Sequence, residues 1–135
     1  MILPNHILEK LPAAERAKLG KAGMTAAEAN AAFVARNERQ LQRQIHNELM
    51  RRGIWHDLDA TNKRRTGTLG TPDFLFSING RACALEVKFE GGRLRPEQEE
   101  AIRQMTANGW RVTVVRTLQD AIAFIKSEVT HESRA

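Results

Sequence analysis

The chain is poor in the side chains on which several kinds of function depend. It has one cysteine, no tyrosine and an aromatic content of 5%. A single cysteine excludes an intrachain disulfide and a thiolate zinc cluster. Cys83, between Ala82 and Ala84, reads as a small buried hydrophobe. So few aromatics argue against a surface that binds single strands mainly by stacking their bases. Trp55 and Trp110 are expected in the core. No apolar run approaches the ~20 residues that cross a bilayer. The opening MILPNHILEKLP has too short an apolar run for a signal peptide, so a cytoplasmic location is expected. There is no glycine-rich nucleotide loop, no nucleophilic serine context, no repeat and no low-complexity segment. None of the four histidines pairs with another at metal-ligand spacing. The letters IHNEL around His46 resemble an HNH nuclease without its ββα-metal context, and His56 beside Asp57 carries no assignment.

What is present is ordinary in amount but biased in charge. The 135 residues suffice for one domain with a modest core. Lysine and arginine number 21 against 16 acidic residues, a net charge of +5. That balance favours a polyanionic partner, most simply nucleic acid.

Residues 5–19 read as a helix with Gly20 as its stop and Pro12 as a possible break. A long helix follows, opened by a Thr25/Glu28 capping pattern, bent near Asn37 and closed by Gly53. Phe33, Leu41, Ile45 and Leu49 form its apolar stripe. Ile54–Leu58 is a short strand, and DATNKRRTGTLGTP a basic, turn-rich loop. Pro96 starts a helix that Gly109 ends. WRVTVVR reads as a strand. Thr117 caps a last helix through Glu128, followed by a loose tail. The order defines an α/β domain around a four-stranded mixed sheet.

The stretch GTPDFLFSINGRACALEVK carries the chemistry. Asn79-Gly80 is a two-residue hairpin turn, because both positions accept positive φ. It sets Phe76 opposite Cys83, Phe74 opposite Leu85 and Asp73 opposite Glu86. Directly opposed side chains have Cβ atoms about 4.5–5.5 Å apart, and like charges there destabilise the pair. A bound divalent cation, which takes carboxylate oxygens as hard ligands, removes that conflict. Lys88, on the same face, adds positive charge where a phosphate and an attacking water could sit. The plainer alternative is a solvated Glu86–Lys88 pair at a sheet edge, and a bulge in either strand would shift the register.

These residues resemble a known motif. Asp73 after Pro72, followed by LEVK at Leu85–Lys88, matches the PD-(D/E)XK nucleases. GTPD…EVKFEGGRLRPEQ is similar to the stand-alone VRR-NUC domains of phage and bacteria, over roughly Asn37–Ile125. The resemblance implies a restriction-endonuclease-like core and phosphodiester cleavage with Mg2+ or Mn2+. It implies Asp73, Glu86 and the Val87 carbonyl as metal ligands, and Lys88 as the group that orients water or offsets developing charge. It further implies a catalytic Gln98 and a helix glutamate, best matched by Glu38 through ERQLQRQI, with Glu48 as the other candidate. Residues 1–36 then form an N-terminal helical extension, 37–127 the nuclease domain and 128–135 a flexible tail.

Lys63, Arg64 and Arg65 precede the active face in sequence, and Arg93 and Arg95 follow it. They are expected to contact phosphates of a DNA duplex or branch. The expected function is a structure-specific DNA endonuclease of the repair type, acting on junctions or flaps as a homodimer with no membrane partner. A non-catalytic nucleic-acid-binding module on the same fold is the alternative.

Overall fold

A computed structural model describes residues 24–58 and 69–131. The expected helix 5–19 and the basic segment Lys63–Arg65 lie outside these residues. The chain divides into two compact units, residues 1–34 and 35–135. In the first, helix α1 (Ala26–Ala32) opens where the Thr25 hydroxyl accepts from the Glu28 N–H at 3.1 Å. It ends at Phe33, whose backbone is extended.

The second unit begins with helix α2 (Glu38–Arg51). The expected single long helix with a bend is therefore two helices. Asn37 is extended, and its side chain accepts from the Gln40 N–H at 2.9 Å. Gln40 Oε1 in turn accepts from the Arg36 N–H at 2.9 Å. These local bonds start a new helix where continuation was expected. Phe33, placed on the stripe by periodicity, is exposed. At the far end Gly53 has φ +69°. The Ile54 N–H donates to Leu49 and the Gly53 N–H to Met50, the pattern of a Schellman stop.

Strands β1 (His56–Leu58), β2 (Phe74–Ile78), β3 (Arg81–Val87) and β4 (Arg111–Val115) lie in that order across one sheet. The first two pairings are antiparallel and β3–β4 is parallel. Helix α3 (Pro96–Ala107) makes the β3–β4 crossover, and α4 (Leu118–Thr130) follows β4. The hairpin register is Phe74↔Leu85, Phe76↔Cys83 and Ile78↔Arg81, as the turn dictated. Asn79 and Gly80 have φ of 52° and 75°.

Alternation puts Phe74, Phe76, Ile78, Cys83, Leu85 and Val87 on one face. They pack with Leu41, Ile45 and Leu49 of α2 and Leu118, Ala121 and Ile125 of α4. Each such side chain removed from water is worth about 1.5–3 kcal/mol. β3 is buried on both faces from Cys83 to Val87, the mark of a central strand. Helix α3 covers the opposite face, and its single buried residue is an amide, Gln98.

Two further expectations need correction. α4 continues through Glu128 to Thr130, where a loose tail was expected to start. Glu128 is 1% exposed and pairs with Arg81 and Arg111, which pins the last turn to the sheet. Trp55, expected in the core, is 78% exposed. It follows the glycine stop of α2, where the chain turns outward before β1. Trp110 is half-buried and lines a cleft of about 350 Å³ with Thr71, Leu75, Ala101 and Met105.

Candidate active site

The site forms where the β2–β3 ladder ends. Extending the Phe74↔Leu85 register by one residue sets Asp73 against Glu86. Asp73 turns toward β3, and its Oδ2 accepts from the Val87 N–H at 2.8 Å. The Gln42 side chain on α2 also bonds this carboxyl. Glu86 is 1% exposed. Its Oε1 accepts from Gln98 Nε2 at 2.9 Å and lies 3.7 Å from Lys88 Nζ. Its Oε2 is buried and has no hydrogen-bond donor among the described residues. Lys88 is 8% exposed, so it is not the solvated surface partner of the plainer alternative.

Gln98 is held in one orientation. Its Oε1 accepts from the Arg95 N–H at 2.9 Å, so the side chain folds back on the first turn of α3. With the acceptor end occupied, the amide N–H is left for Glu86. Gly70 lets the Asp73 segment approach this turn. Its φ is +83°, and a Cβ there would stand 2.1 Å from the Glu97 carbonyl oxygen. Only glycine fits both demands.

Electrostatics reflect this crowding. Burial pushes the Glu86 carboxyl up to about 8, and repulsion from Asp73 adds to the rise. Lys88 pulls it down, and Glu38 raises it further. Asp73 is also raised, chiefly by burial and then by Glu38, against the lowering effects of the Val87 N–H, Lys88 and Gln42. Removing these acids from water without a counter-charge is costly. Together with the undonated Glu86 Oε2, this donor set fits a hard divalent cation. Among the described residues no group of three or more His, Cys, Asp and Glu stands in metal-holding geometry. The protein thus offers two acids, and Glu38 acts on them through its charge.

The other candidates fall elsewhere. Glu48 is 3% exposed and bonded to Arg51 and Arg52 at 2.6 and 2.7 Å, which occupies it structurally. Arg95 stands at the N-cap position of α3 without a side-chain cap bond and pairs with Glu97 at 3.2 Å, so its charge is partly neutralised. Arg93 is exposed on the loop after Lys88. Two histidines that no metal-ligand spacing links in the sequence meet in the fold. His46 Nδ1 and His56 Nε2 are 2.7 Å apart, and His56 Nδ1 lies 2.9 Å from the Ile54 carbonyl. Burial, then His56 and Arg43, lowers the His46 pKa. One histidine is on a helix and the other on a strand, so spacing could not reveal the pair. Gln42 was also missed; its one sequence signal is that it stands one helical turn after Glu38.

Mixed sheet, acid–acid–lysine arrangement and flanking helices define an α/β domain of the PD-(D/E)XK type. A solved structure described as a VRR_NUC domain protein shares the fold. Its TM-score is 0.56, over 71% of this chain and 90% of that one, at 21% identity. The model of the VRR-NUC domain family matches residues 9–118, and the chain belongs to that family, a nuclease-type family. That match starts within residues 1–36, earlier than the motif resemblance did. A comparison with curated proteins finds no match.

Proposed function

We propose that this protein is a metal-dependent endonuclease that hydrolyses phosphodiester bonds in DNA. The observation that carries the reading is the buried Glu86 Oε2, which has no hydrogen-bond donor among the described residues, on a carboxyl that the hairpin register sets against Asp73. Asp73, Glu86 and the Val87 carbonyl would hold Mg2+ or Mn2+. The ion, when bound, would polarise the scissile phosphate and lower the pKa of a water. Asp73 is kept in place by the Val87 N–H and Gln42. Gln98 occupies Glu86 Oε1 and leaves Oε2 for the ion. Lys88 orients the attacking water and offsets charge gathering on the phosphate. Glu38 faces the pair from α2 and favours a cation over a water-only site. Water adds to phosphorus, the P–O3′ bond breaks, and the 3′ oxygen leaves as a hydroxyl, with the phosphate on the 5′ side.

The preferred substrates in this reading are branched DNAs such as Holliday junctions and flaps. Two copies of the chain put one site on each strand. Lys63, Arg64, Arg65, Arg93 and Arg95 would make phosphate contacts. The test is a panel of linear, flap and junction DNAs, and RNA, with Mg2+ or Mn2+. Cleavage by the wild type and none by Lys88→Ala supports the reading. Equal cleavage by both overturns it. Tight binding with neither cleavage nor divalent-ion uptake identifies a non-catalytic binding module. Molar mass in solution, with and without DNA, tests the pair of copies.

A further inference from the structure

Lys88 has a cationic neighbour on the adjacent strand. The parallel register pairs Glu86 with Val114 and Val87 with Val115. The Lys88 N–H continues the ladder to the Val115 carbonyl at 3.0 Å. The next residue, Arg116, therefore leaves β4 beside Lys88. Side chains alternate along a strand, so residues at matching register positions share a face. Arg116 thus starts from the face that bears Glu86 and Lys88. Neighbouring strands lie about 4.8 Å apart.

Arg116 is exposed yet anchored. Its backbone N–H donates to Asp120 Oδ2 at 3.0 Å, and the Asp120 N–H donates to Thr117 Oγ1 at 3.1 Å. These bonds fix the junction of β4 and α4. Its guanidinium Nη1 donates to the Gly92 carbonyl at 2.8 Å, in the loop between Lys88 and α3. A guanidinium has five N–H donors in a planar fork, so most remain for a ligand. Several other arginines are committed to carboxylates: Arg95 to Glu97, Arg103 to Glu100, Arg81 and Arg111 to Glu128. Among the described residues, no carboxylate forms an ion pair with Arg116 or Arg93. An anchored, uncommitted fork is suited to a phosphate, which it can grip bidentately.

We propose that Arg116, with Arg93 on the loop it braces, forms a phosphate subsite beside the catalytic centre, taking a backbone phosphate next to the one that is cut. The subsite rests on the nuclease reading for its place beside a scissile bond. It positions the strand and takes no part in bond breaking. The alternative is that Arg116 only staples the loop Gly91–Arg95 to β4.

The experiment measures binding of a fluorescent DNA duplex in EDTA at several salt concentrations, and cleavage kinetics with Mg2+ or Mn2+. Arg116→Ala is expected to weaken binding about tenfold. It should reduce the slope of log K against log salt by about 0.9, the loss of one phosphate contact. KM should rise by a similar factor while kcat stays within twofold. Arg116→Lys should keep the slope and lose a few-fold in affinity. Arg93→Ala should lower the slope as Arg116→Ala does. An unchanged slope overturns the subsite, and a fall in kcat with that unchanged slope identifies the staple. A wild type that binds without cutting, with the slope still lowered by Arg116→Ala, removes the hydrolysis reading and keeps the subsite. A wild type that cuts, with Arg116→Ala indistinguishable from it, removes the subsite alone. Failure to bind or cut any DNA removes both.

Discussion

Glu86 concentrates the chemistry of the site in one side chain. One oxygen is held by Gln98 and neighboured by Lys88; the other is buried with no donor among the described residues. Glu86→Gln keeps the volume and removes the charge. It is expected to abolish cleavage and divalent-ion binding, read by a nicking assay and by calorimetric titration with Mn2+. Gln98 acts one step back, since its amide orients the acid. Groups that orient a metal ligand are typically worth 10–100-fold in affinity or activity. Gln98→Ala should therefore lower Mn2+ affinity and kcat within that range. An unchanged Mn2+ affinity would show that Gln98 does not position Glu86. At this scale the sequence was informative because acid, turn and lysine lie within one hairpin. The bond of Gln42 to Asp73 and the His46–His56 pair were illegible, because α2 meets the sheet only after folding.

Elements are held to one another by a few backbone approaches that mutation can test. Gly70 and Gly109 both have positive φ, +83° and +91°, yet a Cβ at Gly109 meets nothing within 4 Å. Gly109→Ala should cost only the left-handed backbone term, about 1–2 kcal/mol, and keep activity. Gly70→Ala must also move the Asp73 segment from the first turn of α3. It should lose activity well beyond its loss of stability, measured by kcat beside a denaturant midpoint. Equal behaviour of the two variants would show that the close approach is dispensable. Asn79 joins the hairpin to α4. It has φ +52°, and its amide donates to the Val129 carbonyl at 2.9 Å. Asn79→Ala should cost about 1–2 kcal/mol, from the turn strain and the lost cap. Asn79→Gly should recover the turn's share, and both should still cut DNA at 25 °C. The hairpin register was legible because a two-residue turn leaves the chain one way to pair. The break between α1 and α2 was not. Asn37 marked a bend in the sequence, but a bend and a restart share that signal, and the side-chain bonds of Asn37 and Gln40 decided for a new helix.

For the whole molecule, the buried acids link stability to pH and to metal. The Glu86 carboxyl titrates near 4.5 in its ordinary state and about 8 in the folded protein. Between those values the native state retains a proton that the unfolded chain has lost. Stability should thus be fullest below pH 4.5 as far as this group is concerned, and fall as pH rises toward 8. The raised Asp73 acts in the same direction. In EDTA the melting temperature should be lower at pH 8 than at pH 5.5, and Glu86→Gln should flatten that dependence. Mn2+ should restore stability most at the higher pH, because the ion binds the deprotonated acids and releases their protons. A melting temperature that rises with pH in EDTA would contradict this linkage. By itself the sequence determined the strand order within the hairpin, the facing acids, the adjacent lysine and a basic overall charge. Each follows from local rules: turn chemistry, side-chain alternation and composition. Tertiary structure alone decided that Gln98 meets Glu86, that Glu38 and not Glu48 faces the acids, and that Arg116 emerges beside Lys88. Those juxtapositions join different elements of the fold, and only the packing of helices on a sheet brings them together.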